Sequence, residues 1–359
     1  MINLGTVIRD IPRNLARADF LVGLGIKRAR LHAGIELDRS AALRDAALGH
    51  KLTTGEPPID VVMLHSQGES FHKPWRRHHL SEEVAALGGR LRTVPVEQHR
   101  SLLEHRPDIV FARTKNPRAI AELEKAGIPV INSGSAIATA GSKAKSAEQF
   151  RQGNVPIPET GVATSLEELR AHAQDFGFPL VAKTEVGAGG TGVFFPKNDA
   201  ELQQIARDHL QHGRRLVTQR FYDVGGRDQR MVVAPGADGT PELIAVVERR
   251  SRGTDPRANG GTRGTVARRL SPDPADGDIT VQERDMALDA VTATGLRFGA
   301  VDEMRTTERG TLVIEANSSP TPPELDVDLP RAEQLIPRLA QDLVNQGRAA
   351  RAARPTPHS

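Results

Sequence analysis

The chain has 359 residues, enough for two or three packed domains with a cleft between them. Lys and Arg number 48 against 45 Asp and Glu, a formal charge of +3, which excludes a non-specific nucleic-acid coat. Aromatic residues make up 3%, with one Trp (Trp75) and one Tyr (Tyr222), too few for a base-stacking platform. Cysteine is absent, which removes disulfides, thiolate metal sites and thiol nucleophiles and fits a reducing cytoplasm. No segment approaches the ~20 apolar residues of a membrane span. The expectation is a cytoplasmic protein without nucleic-acid or membrane partners.

Residues 1–55 read as a mostly helical, Arg- and Ala-rich extension that ends at Gly55-Glu56-Pro57-Pro58. Over 56–135 short apolar runs alternate with helical spacing: strands at 60–64, 90–96, 108–112 and 128–132, helices at 80–87, 101–105 and 118–126. Such alternation predicts a parallel α/β domain. Over 136–218 the spacing predicts helices at 142–152, 165–176 and 199–210, with a capping-box start from Ser165 to Glu168. Strands at 180–186 and 193–196 flank a Gly-rich turn, and another strand spans 215–218. Over 219–348 the pattern is an antiparallel sheet with strands at 229–234, 242–249, 298–305 and 311–316 and a helix at 281–294. Residues 349–359 read as a frayed tail. The fold class is therefore α/β followed by α+β.

Gly187-Ala188-Gly189-Gly190-Thr191-Gly192 fits G-x-G-x-x-G spacing. A dinucleotide fingerprint needs a helix next, whereas Val193-Phe194-Phe195-Pro196 reads as a strand. What remains is a hairpin tip, either an ordinary turn or a loop whose bare amides fold over phosphates. Lys183 precedes it on an apolar strand, and a buried strand lysine is costly unless it meets an anion. Only 9 of the 48 basic residues are lysines, so each lysine within a motif is conspicuous. The alternative is an edge strand with Lys183 facing water.

Glu315 and Asn317 stand two apart on one strand and share a face. Asp302 lies on another strand, and the turn 306–310 lets the two pair. Two carboxylates and an amide oxygen on one sheet face suit a Mg²⁺-type cation; the alternative is a solvated polar face. Arg230 begins a strand, while Arg257, Asn259 and Arg263 lie in the Gly-rich segment 249–264, which is either solvated or a source of guanidinium donors to anionic oxygens. His65 and Ser66 open a His-rich stretch after the first strand, where α/β sheets bind ligands.

Taken in order, these motifs resemble the ATP-grasp carboxylate–amine ligases, nearest the branch of ribosomal protein S6 glutamate ligase and the lysine-biosynthesis ligases. The resemblance covers about 128–345: Ile131-Asn132-Ser133 to Lys143, Lys183 with the Gly loop, Gln219-Arg220-Phe221, Gly226 to Arg230, Arg249-Arg250, Arg257 to Gly264, Gly299 to Asp302, and Val313 to Pro320. It implies an ATP-grasp fold: a pre-ATP-grasp domain, a small lid subdomain and an antiparallel C-terminal subdomain. It further implies that Lys143 and Lys183 hold ATP phosphates, that Gly187, Gly189, Gly190 and Gly192 form a lid, and that Gln219, Arg220 and Phe221 are the adenine hinge. Asp302, Glu315 and Asn317 would bind two Mg²⁺ ions, or Mn²⁺ in their place, and Arg230 and Arg263 would meet the phosphoryl group. His65, Ser66, Arg257, Asn259 and Ser319 are the substrate candidates. Two departures stand out: Arg220 replaces a usual acidic residue, and Thr321 replaces the Gly that usually follows Ser-Pro.

The expected reaction is ADP-forming amide or peptide bond formation through an acyl phosphate. The partners are small-molecule or peptide carboxylate and amine substrates, and a homo-oligomer is compatible with the family. A nucleotide-binding regulator and a phosphotransferase without amine ligation are the alternatives.

Overall fold

Apolar runs separated by helices build a parallel sheet at the start of the described chain. The computed structural model describes residues 56–66, 74–187, 190, 192–236, 238–253, 255–258, 265–320 and 329–354, so the extension expected over 1–55 lies outside it. In order come β1 (Ile59–His65), α1 (Pro74–Ala86), β2 (Gly89–Pro95), α2 (Ser101–Glu104), β3 (Ile109–Arg113), α3 (Pro117–Lys125) and β4 (Val130–Ile131). All pairings are parallel, in the order β2-β1-β3-β4. Asn116 caps α3 by accepting from the Ala119 amide, with Pro117 at the first helical position, where its missing N–H costs nothing.

Helices α4 (Gly134–Gly141) and α5 (Lys143–Gln152) follow, then β5 (Thr160–Ala163), α6 (Leu166–Phe176), β6 (Leu180–Thr184), β7 (Val193–Phe194), α7 (Asp199–His209) and β8 (Leu216–Arg220). The four strands form an antiparallel sheet, β5-β8-β6-β7. Leu169 and Leu202 of its two helices are fully buried against Leu180 and Leu216. Each such side chain is worth about 1.5–3 kcal/mol over its exposed state. At α6 the box expected from Ser165 is displaced: Ser165 accepts from the Glu168 amide, but Glu168 bonds the Thr164 amide and hydroxyl.

The third sheet contains β9 (Arg227–Pro235), β10 (Pro241–Ser251) and β11 (Thr265–Leu270); after α8 (Val281–Thr294) come β12 (Gly299–Thr306) and β13 (Gly310–Asn317). Its order is β11-β10-β9-β12-β13. Here Thr280 and Glu283 form a complete capping box for α8. One face packs on α8 through Met231, Val233, Val301 and Val313. The other face meets α9 (Leu329–Ala352), whose Leu335, Leu339, Leu343 and Val344 also join Val61 and Met63 of β1 in one core. Helix α9 thus wedges the parallel sheet against the large antiparallel one. It continues through Ala352, past Ala349 where the tail is expected, because Arg351 pairs with buried Asp108 and donates to the Pro57 and Pro58 carbonyls. No helix among the described residues is long and apolar enough to cross a membrane.

Candidate active site

The β12–β13 hairpin sets Asp302 directly opposite Glu315. Asn317, two residues on, donates through Nδ2 to Glu315 Oε1 at 3.2 Å and reaches Asp302 Oδ2 at 3.5 Å. The three residues expected to converge therefore do. Asp302 is 4% exposed and lies opposite Arg230 on β9. Arg230 Nε and Nη2 donate to its two oxygens at 2.8 Å each, and Arg249 Nη2 adds a contact at 3.0 Å. Burial alone would raise the Asp302 pKa; the two guanidiniums overcome it and hold the carboxyl well below the usual range. Arg249 also forks Asp228 at 2.7 and 2.5 Å. Arg230, expected at the phosphoryl group, here directs Nε and Nη2 to Asp302.

Two carboxylates and an amide are hard donors, but Asp302 is already neutralised by arginines. Among the described residues no group of three His, Asp or Glu side chains is arranged to hold a metal ion. Glu315 and Asn317 thus fit a Mg²⁺-type cation that would take its remaining ligands from phosphate oxygens and water, the usual habit of that ion.

Facing this wall is the small sheet. Strand β6 lies between β8 and β7, and Lys183 pairs with Val217 and Val193, so the edge-strand alternative fails. Lys183 is 7% exposed. Burial pushes its pKa down to about 8, against the pull of Glu315. Beyond it the chain turns through the lid. Gly192 adopts φ +75°, and a Cβ there would stand 2.3 Å from Thr184 Oγ1, while its carbonyl accepts from the Thr184 amide at 2.8 Å. Only glycine fits that turn. The lid base is tied to the start of α5: the Lys143 amide donates to the Glu185 carbonyl, Ser142 Oγ to Glu185 Oε1, and Lys143 Nζ to the Gly187 carbonyl.

Between roof and floor lies a cleft of about 440 Å³. Lys143, Lys183, Gly187, Gln219, Glu315, Asn317 and Ser319 line it. Lys115 and Ser142 line it too, and sequence reasoning missed both, although the scarcity of lysine would have flagged the first. Arg249 was missed as a site residue; its position opposite Asp228 on the neighbouring strand is the signal.

Of the hinge string, Gln219 alone is in the cleft lining. Gln219 reaches the cleft and donates to Thr160 Oγ1 at 3.1 Å. Arg220 and Phe221 are not in the lining. The Arg220 amide is donated to the Glu159 carbonyl, and its side chain turns outward over Tyr222 toward Glu308. Phe221 packs edge-on to Phe195. Outward orientation explains why a basic residue is tolerated there.

Gly190, at φ +74°, receives at its carbonyl a bond of 3.1 Å from Arg257 Nη1. Arg257 otherwise forks Asp255, so it braces the lid and is absent from the cleft lining. His65 and Ser66 stand at the end of β1, also outside the lining. Gly189, Asn259, Arg263 and Thr321 lie outside the described residues.

Comparison with known proteins agrees with this geometry. The family described as the RimK-like ATP-grasp domain matches residues 140–336, more than half of the chain. A probable alpha-L-glutamate ligase from Enterobacter sp. (strain 638) is 33% identical over 208 residues, 56% of this chain and 63% of that protein. A protein of the same description from Sodalis glossinidius is 29% identical over 287 residues, 77% of this chain and 84% of that one. In fold, the chain is similar to the D-alanine–D-alanine ligase of Bacillus anthracis complexed with ATP, with TM-score 0.60 and 16% identity over 83% of this chain and 99% of that one. From the site and these likenesses together, the chain belongs to the RimK-like ATP-grasp family and is an ATP-dependent carboxylate–amine ligase.

Proposed function

We propose that this protein activates a carboxylate with ATP and joins it to the amine of an amino acid, L-glutamate being the first candidate. The observation that carries the reading is the cleft that Lys143, Lys183, Gly187, Glu315 and Asn317 line together. The glutamate assignment is supported by the relatives, which are described as probable alpha-L-glutamate ligases.

A carboxylate is a poor electrophile. One of its oxygens attacks the γ-phosphorus of ATP, the bond to the bridging oxygen breaks, and ADP leaves. The amine nitrogen then attacks the acyl carbon, phosphate departs, and the nitrogen loses a proton. Lys143 and Lys183 bind and orient the phosphates, whose charge in a dry site is otherwise prohibitive. Arg230 and Arg249 neutralise Asp302 and fix its direction. Glu315 and Asn317 would hold Mg²⁺, which supplies charge neutralisation at the transferring phosphoryl group. A Gly-rich lid closing over the cleft would exclude water that otherwise hydrolyses the acyl phosphate.

The test is ADP release with ATP, Mg²⁺, L-glutamate and a panel of amino acids and peptides as acids, with hydroxylamine substituted for the amine in parallel. The expected result is acid-dependent ADP and a hydroxamate. ADP with a stable phosphorylated product and no hydroxamate would move the protein to the phosphotransferases. Nucleotide binding without ADP under every pairing would make it a regulator.

A further inference from the structure

Lys115 is left without a task by the chemistry above, although three of the nine lysines, Lys115, Lys143 and Lys183, line one cleft. Its position follows from topology. The chain runs from β1 to β2 on one side of β1 and returns to β3 on the other. The carboxyl ends of β1 and β3 therefore flank a switch point, where open α/β sheets leave a crevice. Ser66 Oγ and Thr114 Oγ1 lie 2.6 Å apart across it, and Thr114 is fully buried. Thr114 Oγ1 also accepts from the Asn116 amide, and Asn116 caps α3. Lys115 is thus mounted on a link braced on both sides. Its side chain is exposed to the cleft, and no carboxylate pairs with it among the described residues.

Ser319 lines the same cleft, and its Oγ is buried with no hydrogen-bond partner among the described residues. An unmatched buried hydroxyl is costly, so its retention in a rigid place calls for a ligand. The place is rigid. The Ser318 carbonyl accepts from Asn132 Nδ2 at 3.0 Å, and the Pro320 carbonyl accepts from Arg113 Nη2 at 3.0 Å. Asn132 also donates to the Phe298 carbonyl at 2.7 Å and is 1% exposed. Both residues that clamp the Ser319 backbone come from the parallel-sheet domain that carries Lys115.

We propose that Lys115 and Ser319 form a subsite that binds a non-reacting carboxylate of the amino-acid substrate, an ammonium and a hydroxyl donor serving one anionic group. The inference rests on the ligase reading above. Lys143 and Lys183 serve the nucleotide phosphates, and a third cation on the adjoining domain suits an anion beyond them.

The experiment measures KM for L-glutamate, L-glutamine and L-glutamate α-amide in the wild type, Lys115→Met and Ser319→Ala, with ATP affinity by calorimetry. Lys115→Met should raise KM for L-glutamate about tenfold, as expected for one lost charge-assisted contact, with ATP affinity within twofold. One of the two amides, the one lacking the carboxylate that Lys115 reads, should show no difference between wild type and Lys115→Met. Ser319→Ala should raise the same KM while leaving the melting temperature equal or higher, an outcome that a structural role for the hydroxyl would reverse. Weaker ATP binding with unchanged glutamate KM would make Lys115 a third phosphate contact and overturn the proposal. Unchanged glutamate KM and ATP affinity would leave a surface lysine and overturn it equally. No L-glutamate-dependent ADP release from the wild type would overturn the glutamate reading and the subsite with it, whereas L-glutamate-dependent turnover whose KM Lys115→Met leaves unchanged would overturn the subsite alone.

Discussion

Asp302 and Glu303 are adjacent acids on one strand, both buried, and their surroundings are opposite. A shift of register between them in the β12–β13 pairing accompanies the change of face. Asp302 lies across from Arg230 and meets two guanidiniums; Glu303 lies across from Gln229, and neither of its oxygens has a hydrogen-bond partner among the described residues. Burial, then the nearby charge of Glu283, pushes Glu303 up to about 9, with Arg305 only partly opposing. Asp302 stays ionised under the same burial because arginines compensate it. Depth alone does not decide charge. On the face turned toward the cleft two guanidiniums are spent on Asp302, whereas on the face packed on α8 the Arg305 guanidinium is spent on Glu283 and leaves Glu303 without a hydrogen bond among the described residues.

The largest effect should come from the cleft side. Glu315 faces Asp302 across the hairpin, but no arginine is paired with it among the described residues, so its charge is available to a cation. Glu315→Ala should reduce kcat at least about 100-fold, since metal neutralisation is worth several kcal/mol in the transition state, while the melting temperature changes little. Retained turnover in steady-state ADP release would show that the compensated Asp302 suffices for the metal.

Arg249 tests the compensation itself. It is 3% exposed and joins Asp228 to Asp302. Arg249→Met keeps volume and removes charge, leaving two buried carboxylates to share Arg230. The expected cost is about 3–5 kcal/mol of folding stability, read from urea denaturation midpoints. A loss below 1 kcal/mol would mean that water already solvates this network, and the contrast with Glu303 would collapse.

Glu303 should produce a slope with pH. Its folded pKa, about 9, lies above the ordinary value of 4.5. Between those limits the folded state holds a proton that the unfolded state has released. Stability is therefore fully present below the lower value and falls as pH rises toward the upper one, approaching a factor of ten in the folding constant per pH unit. Glu303→Gln should remove this component, so the variant gains on the wild type as pH increases from 6 to 9. Parallel stability curves would show that Glu303 finds a partner, for instance a reoriented Gln229 amide.

Much of this was legible in the sequence because it depends on period. The spacing of Glu315 and Asn317 puts them on one strand face, the 306–310 turn brings Asp302 beside them, and an apolar strand around Lys183 implies a buried cation. Partner choice was not legible. The family resemblance implies that Arg230 lies near phosphate, but which anion its fork takes depends on register with β12, a contact 72 residues away in the chain. Arg220 was similarly ambiguous until β8 was seen to end there with the side chain outward. The elements that the sequence pattern does not reveal, α4, β5, β11 and α9, lack a strong local signal. Helix α4 is uncharged and, apart from Ile137, made of small residues, and α9 carries Pro337 inside it. What holds α9 is its apolar face against two sheets, a tertiary cause that no local pattern reports.

The smallest effect concerns a third buried ionisable group. Lys183 has no guanidinium-like fork of partners; Glu315 attracts its charge and Lys143 repels it, and burial dominates, leaving a pKa of about 8. Nucleotide phosphates would supply the missing compensation. Their negative charge favours the ammonium, raises its pKa, and draws a proton from solvent on binding. Near pH 8, where the terminal phosphate with its pKa of about 6 is already ionised, a fraction of one proton should be taken up per ATP bound. Uptake should fade toward pH 6.5, because Lys183 is then charged before the nucleotide arrives. Calorimetric titrations in two buffers of different ionisation enthalpy measure this directly. Lys183→Arg, which stays charged throughout, should abolish the uptake while preserving part of the affinity. Uptake that persists in Lys183→Arg would assign the proton to another group. No uptake in the wild type at pH 8 would mean that Glu315 alone keeps Lys183 charged, and that the roof of the cleft is compensated before ATP binds, as Asp302 is.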